Sequence, residues 1–301
     1  MEDIERIRER LENIRSVEPI ITSLRTIAAG GWRLALKRLN ACAQYVEHLS
    51  EVLAALLPHL SARQLTHPLV CQGRPEMRRV LMLVIASERG LCGAFNDVVL
   101  EGAERLIRQQ QLQSEQVLVG TLGRRAESYF RARGYDLFLA QSLPVTRVAS
   151  FAMVQEIGRV LVEALLSREL EAVFVVYSPY KPGGLLPPVS RRWLPIDASI
   201  LPSRGSIWPQ PVIETNAQAL FERTVEDWVF GRLFQLVMES AASEQAARFR
   251  AMDAASNNLN RVIEELTLSY HTARQHAITM EMLDLVAGSG ILRGPRGRQK
   301  K

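Results

Sequence analysis

Apolar residues return every three or four positions at both ends of this chain, a rhythm that suits helices and not strands. Toward the C-terminus Met252, Ala255, Leu259, Val262, Leu266, Tyr270, Ala273, Ala277, Met280 and Leu283 keep one narrow stripe. They lie in a run from Arg232 to Ala287 that holds neither glycine nor proline. As a single helix that run would extend about 80 Å at about 1.5 Å per residue, longer than a small domain is wide. Its apolar edge therefore needs a partner other than a compact core, and a seam so narrow seats one or two helices. The N-terminal part offers one. Ile4, Ile7, Leu11, Ile14, Val17, Ile21, Leu24, Ala28, Ala35, Leu39, Cys42, Val46, Leu49, Val52 and Leu56 repeat the same spacing. Residues 1–57 and 212–292 are expected to form the two coiled-coil helices, with 1 to about 57 paired antiparallel to about 215 to 287 and Leu11 near Met280.

Pro58 ends the first helix, and two weak points interrupt it. Pro19 removes a backbone donor, and Gly30 and Gly31 each cost about 1 kcal/mol relative to alanine. The glycines fit either plain tolerance or the close approach of a neighbour. Residues 58–78, with Pro58, Pro68, Gly73 and Pro75, read as a linker without period.

From Arg79 the period changes. Val80–Ala86 is a short unbroken apolar run, the mark of a strand buried on both faces as in a parallel sheet. Helical spacing follows at Val98, Val99, Ala103, Leu106 and Ile107, then a strand at Val117–Val119 and a helix over Arg124–Arg133. A strand Asp136–Ala140, a helix Phe151–Leu166 and a strand Ala172–Tyr177 complete the alternation. The pattern predicts a doubly wound, Rossmann-like α/β domain over residues 79–211. Its last part is rich in proline from Pro179 to Pro211, with one edge strand around Trp193–Ile196. The fold class is thus α/β plus coiled coil.

Composition changes little in this picture. The chain has 301 residues, 47% of them hydrophobic, and a formal charge of +5. Five cations, Arg293, Arg296, Arg298, Lys300 and Lys301, lie in a basic tail over 293–301, so the rest is neutral and carries no basic face for nucleic acid. No apolar run reaches the length of a membrane span. Cys42, Cys71 and Cys92 are scattered without a CxxC, which fits a reducing compartment, and the five histidines show no ligand spacing. No metal or cofactor is expected.

An α/β domain invites a search for catalytic chemistry after the first strand, at Ser87–Asn96. That loop has Gly90 and Gly93 but not GxGxxG, and no GxxxxGK[ST] string occurs anywhere. Cys92 reads as packed between its glycines, and Glu88 and Arg89 as a local ion pair or surface contact.

The loop SERGLCGAFN resembles the SDRGLCGGFN string of the gamma subunit of rotary F-type ATP synthases. The segments ESAASEQAARFRAMDAASNN and IEELTLSYHTARQHAITMEMLDLVAG resemble the same family more closely. The N-terminal helix departs from it. Where the family has a string like ITKAMxMVAAxK, Leu24 stands for the first methionine and Gly31 for the lysine. The resemblance implies a central rotor shaft without a catalytic site of its own, coupling ion flow to ATP synthesis or hydrolysis. Its implied partners are the alpha and beta subunits of a catalytic hexamer, an epsilon subunit and a membrane c-ring, on the cytoplasmic side of a bacterial or archaeal plasma membrane. It also implies that Arg274, Gln275 and Thr279 contact catalytic-subunit loops. Helical phase agrees as far as it goes: with Ala273 and Ala277 inward, His271, Arg274, Gln275, Ile278, Thr279 and Met282 point outward. A structural tether is the rival reading, but a tether's free helix end should be polar, whereas Ala277–Ala287 is apolar nearly all round. The relatives that carry an inserted cysteine pair are thiol-regulated; residues 179–211 hold no cysteine, so reductant should not change activity.

Overall fold

The structure, a computed structural model, describes residues 2–60, 67–71, 77–111, 116–145, 147–197 and 212–291. The expected basic tail at 293–301 and the prolines at 202, 209 and 211 lie outside these residues. In chain order the elements are α1 (Glu2–Leu56), a 3-10 turn (Leu57–His59), β1 (Val70–Cys71), β2 (Arg79–Ile85), α2 (Phe95–Gln111) and β3 (Gln116–Leu122). There follow α3 (Arg124–Ala132), β4 (Leu137–Gln141), α4 (Phe151–Leu166), β5 (Ala172–Tyr177), β6 (Tyr180–Lys181), β7 (Gly184–Leu185), β8 (Val189–Leu194), β9 (Ile196–Asp197) and α5 (Ala217–Ile291). The chain divides into two units, one of the segments up to Arg25 and from Met252 onward, the other of Thr26–Ala251.

In the larger unit five strands lie in the order β4-β3-β2-β5-β8, all parallel except the antiparallel edge strand β8. Alternation along β2 fills both faces. Leu81, Leu83 and Ile85 join α4, α1 and α5 in one cluster, while Val80, Met82 and Val84 meet Phe95, Val99 and Ile107 of α2 and Phe130 of α3 in the other. The chain leaves β2 toward β3 and β4, then crosses back to β5 on the other side, so the switch point of the winding lies between β2 and β5.

Helix α5 begins earlier than the glycine-free run. The Asn216 side chain accepts from the amides of Gln218 (2.9 Å) and Ala219 (3.1 Å), a capped start. The helix then continues through Gly231, where the Cys42 thiol donates to the Gly231 carbonyl at 3.1 Å and a Cβ would stand 3.1 Å from Val46. Helix α1 packs here through Ala28, Ala35, Cys42, Val46, Leu53 and Leu56, and the Trp228 indole donates to the Ser50 hydroxyl at 2.9 Å. The two glycines differ: a Cβ on Gly31 would lie 3.1 Å from the Gln245 side chain, whereas Gly30 faces open space. Gly31 is the close approach.

In the smaller unit Arg25 pairs with Asp253 at 3.1 Å, and Arg8 lies within electrostatic reach of Tyr270. Leu11, Met252 and Ser256 are buried, and Leu259, Val262, Leu266, Tyr270, Ala273 and Ala277 half-buried, on the expected seam. Pro19 sits on the exposed side of α1, where the carbonyl it leaves unpaired can be hydrated.

Two expectations need correction, the register at the helix end and the irregular proline-rich stretch. The two contacts above step together, three residues on from Arg8 and three back from Tyr270, so Leu11 falls opposite Thr267 and not near Met280. Helix α1 has run out by then, and Met280 and Leu283 are 57% and 56% exposed instead of seated in the seam. Among the described residues of the linker 58–78, Leu60 and Leu69 are buried, and β1 pairs in parallel with β9, a strand too short to show a period. The proline-rich stretch holds a hairpin, β6–β7, turned at Pro182–Gly183, a pair suited to a tight turn.

Candidate partner-binding face of the C-terminal helix

Arg274, Gln275 and Thr279 project from the exposed side of α5, with His271, Ile278 and Met282. The placement follows from the helical period, since Ala273 and Ala277 take the inner positions. Thr279 donates its hydroxyl proton to the Gln275 carbonyl at 2.9 Å, which fixes its rotamer and leaves the oxygen's lone pairs facing outward. Beyond them Ile278, Met280, Met282, Leu283, Leu285 and Val286 are 49% to 73% exposed. Six large apolar side chains spread around one helix end are more than a single stripe, so no single flat surface covers them.

The loop after β2 is a rigid structural element. Ser87, fully buried, donates its amide (3.2 Å) and its hydroxyl (2.8 Å) to the Asn96 side-chain oxygen, and the Asn96 side-chain amide donates to the Cys92 sulfur at 3.1 Å. Glu88 turns away from Arg89. Its carboxylate accepts from the Arg124 amide (3.1 Å) at the start of α3 and the Leu143 amide (2.8 Å), and lies 3.7 Å from the Arg124 guanidinium, so the ion pair is with Arg124.

Helix α5 crosses the carboxyl ends of β2 and β5, where a sheet of this winding would hold a dinucleotide. Tyr177 donates to Glu239 (2.9 Å), the Ser178 and Ser243 hydroxyls meet at 3.2 Å, and Arg248 donates to the carbonyls of Arg89 (3.1 Å) and Gly90 (3.4 Å) while pairing with Glu244 at 2.6 Å. The ligand crevice is filled by the chain's own helix. Sequence reasoning missed the roles of Glu239, Ser243, Glu244 and Arg248; their signal was polar residues recurring within the most buried stretch of α5.

Cys92 is 1% exposed, and burial pushes its thiol up, with the Glu244 charge adding to the effect. Burial also pushes Cys42 up to about 11. A thiol held in its protonated form is a poor nucleophile. In a native chain at neutral pH, Cys42 and Cys92 should therefore both react with a thiol reagent more slowly than after unfolding, Cys42 by at least tenfold. Peptide mapping of the labelled protein reads this directly; rapid native labelling of Cys92 would restore the nucleophile reading.

Among the described residues no helix is long and apolar enough to cross a membrane. The family model described as ATP synthase matches residues 3–292. The ATP synthase gamma chain of Chlorobaculum tepidum is 33% identical over 304 residues, spanning 97% of this chain and 100% of that one. The gamma chain of Chloroherpeton thalassium is 30% identical over 306 residues, with 97% and 99% covered. Among solved structures, a chain of the Euglena gracilis mitochondrial ATP synthase (OSCP/F1/c-ring, rotational state 3) superposes with a TM-score of 0.64 at 14% identity, covering 99% of both chains. A chain of the rotor of the same complex in rotational state 1 gives 0.58 at 18% identity, over 92% of this chain and 99% of that one.

Proposed function

This chain belongs to the ATP synthase gamma family, and from that premise we propose how its parts divide the work of a rotor. It is a non-catalytic subunit, the central stalk of a rotary ATP synthase, associated with the membrane as part of that complex. The catalytic sites lie on the alpha and beta subunits around it. Helices α1 and α5 form the shaft that carries torque, and the α/β domain expected over 79–211 meets epsilon and the c-ring on the cytoplasmic face of the membrane. As the shaft turns it presents a different face to each catalytic subunit, and the unequal contacts give the nucleotide sites unequal affinities. Arg274, Gln275 and Thr279 make those contacts at the height where α1 ends.

The observation that carries this reading is the end of α5. Leu285 at 73% exposed and Val286 at 67% would be unstable in water on a free tether, and enclosure by a surrounding ring covers them on every side. Arg274 then donates to carboxylate or carbonyl groups on a partner loop, each charge-assisted bond contributing on the order of 1–3 kcal/mol. The double variant Arg274→Ala/Gln275→Ala should lower the ATP turnover of the reconstituted complex by about tenfold. The isolated chain should melt within about 0.5 kcal/mol of the parent, because both side chains are exposed. Full turnover in a complex shown to contain the double variant would mean that these side chains are only hydrated.

A further inference from the structure

The formal charge of +5 equals the five cations of residues 293–301, and no Asp or Glu follows Asp284 to answer them. A block of like charge repels itself and has no apolar surface to bury, so what it can do is meet charge of the opposite sign on a partner. The block lies beyond residues 3–292, the span the family model matches, so the machinery shared by the family does not account for it. Arg293 stands two positions after Ile291, the last residue of α5. Just before it, Ile278, Met280, Met282, Leu283, Leu285 and Val286 are 49% to 73% exposed and spread around the helix. A polyanion offers them no apolar cover, and a lipid surface covers a helix on one side only. What encloses them is protein, and cations within an extended reach of about 30 Å meet that same protein.

We propose that residues 293–301 are an electrostatic guide for assembly: on the reading that the catalytic hexamer encloses the end of α5, the five cations are drawn to carboxylates on that hexamer and speed the entry of the shaft. The helix end cannot guide itself in this way. Between Gln275 and Leu292 the only charged residues, with histidine neutral, are Glu281 and Asp284, so residues 275–301 carry +3 with the basic block and −2 without it. Removing the block therefore reverses the sign of the end that the hexamer meets. Exposed charge acts over about 10 Å at ordinary ionic strength. It changes the rate of encounter more than the strength of the finished contact, because solvent screens an exposed ion pair once it has formed.

Stopped-flow light scattering of the full chain mixed with the alpha/beta hexamer of the same organism reads the association rate directly. A chain carrying Arg293→Gln, Arg296→Gln, Arg298→Gln, Lys300→Gln and Lys301→Gln should associate about tenfold more slowly than the parent at low salt, with a dissociation rate within about threefold. Salt should slow the parent and not the glutamine chain, so that the two converge near about 1 M, where the screening length is about 3 Å. Glutamate at the same five positions should slow association further. None of these changes touches α1 to α5, so the circular dichroism of the isolated chains should be the same. Equal rates for all three chains at low salt would overturn the inference and leave the stalk reading standing. Failure of the parent itself to bind the hexamer would overturn that reading and the inference with it. A difference seen only on random-sequence duplex DNA, or only on phosphatidylglycerol vesicles, would overturn the inference in favour of that polyanion.

Discussion

Gly123→Ala should lower the stability of the chain by about 3 kcal/mol, the sum of a left-handed backbone and a steric clash that cannot relax cheaply. Gly123 sits between β3 and α3 with φ 94° and ψ 138°, far from any region open to L-residues. A Cβ there would stand 2.4 Å from the Ala86 carbonyl oxygen and 2.9 Å from that of Ser87. Those are backbone atoms in a segment held on several sides: the Ala86 amide donates to the Leu122 carbonyl, the Ser87 carbonyl accepts from the Arg125 amide, and the Gly123 amide donates to the Gln141 carbonyl at 2.8 Å. To make room, the carboxyl ends of three adjacent strands must move together. Gly134 is the control, with φ 78° and nothing within 4 Å of an added Cβ, so Gly134→Ala carries the conformational cost alone, about 1 kcal/mol. Denaturant unfolding of both variants separates the two effects. Equal losses would show that the strand ends yield to the methyl group, contrary to the geometry.

Leu11→Asp should release the smaller unit while leaving the larger one folded. Leu11 is 7% exposed on α1, and among the described residues the unit has only two helices with which to bury anything. Losing the leucine removes roughly 1.5–3 kcal/mol of apolar burial, and an unpaired carboxylate in the seam adds to the loss. An isolated helix pair has little stability in reserve, because its helices depend on the seam and not on intrinsic propensity. Hydrogen exchange should show amides of residues 4–24 and 253–277 losing protection while those of β2 and β5 keep theirs. Val17→Asp, at a position 41% exposed, should change either by no more than about 0.5 kcal/mol. Retained protection in the Leu11 variant would mean that the seam holds without this residue.

The sequence by itself determined the elements whose side chains repeat with one period over many residues. The stripe from Met252 to Ala277, the both-face burial of β2, the limits of α4 at Phe151–Leu166 and of β5 at Ala172–Tyr177, and the outward phase of Arg274, Gln275 and Thr279 all follow from a local rhythm that any helix or buried strand must obey. Tertiary structure alone decided what depends on which segments meet. The register of α1 on α5 was one such matter: two stripes of like spacing can slide by whole heptads, and ion pairing at Arg25–Asp253 with the position of Gly31 against Gln245 selects the observed alignment. That register exposes Met280 and Leu283, which the stripe alone would have placed inside. The partnering of β1 with β9 depends on residues some 126 apart, Val70 with Ile196, and two-residue strands carry no period to announce it. The brace of Glu244 and Arg248 beneath the SERGLCGAFN loop was hidden for the same reason. Its residues are ordinary helix polar groups until α5 is laid across the carboxyl ends of β2 and β5, where burial removes their water and leaves each other and the loop carbonyls as partners.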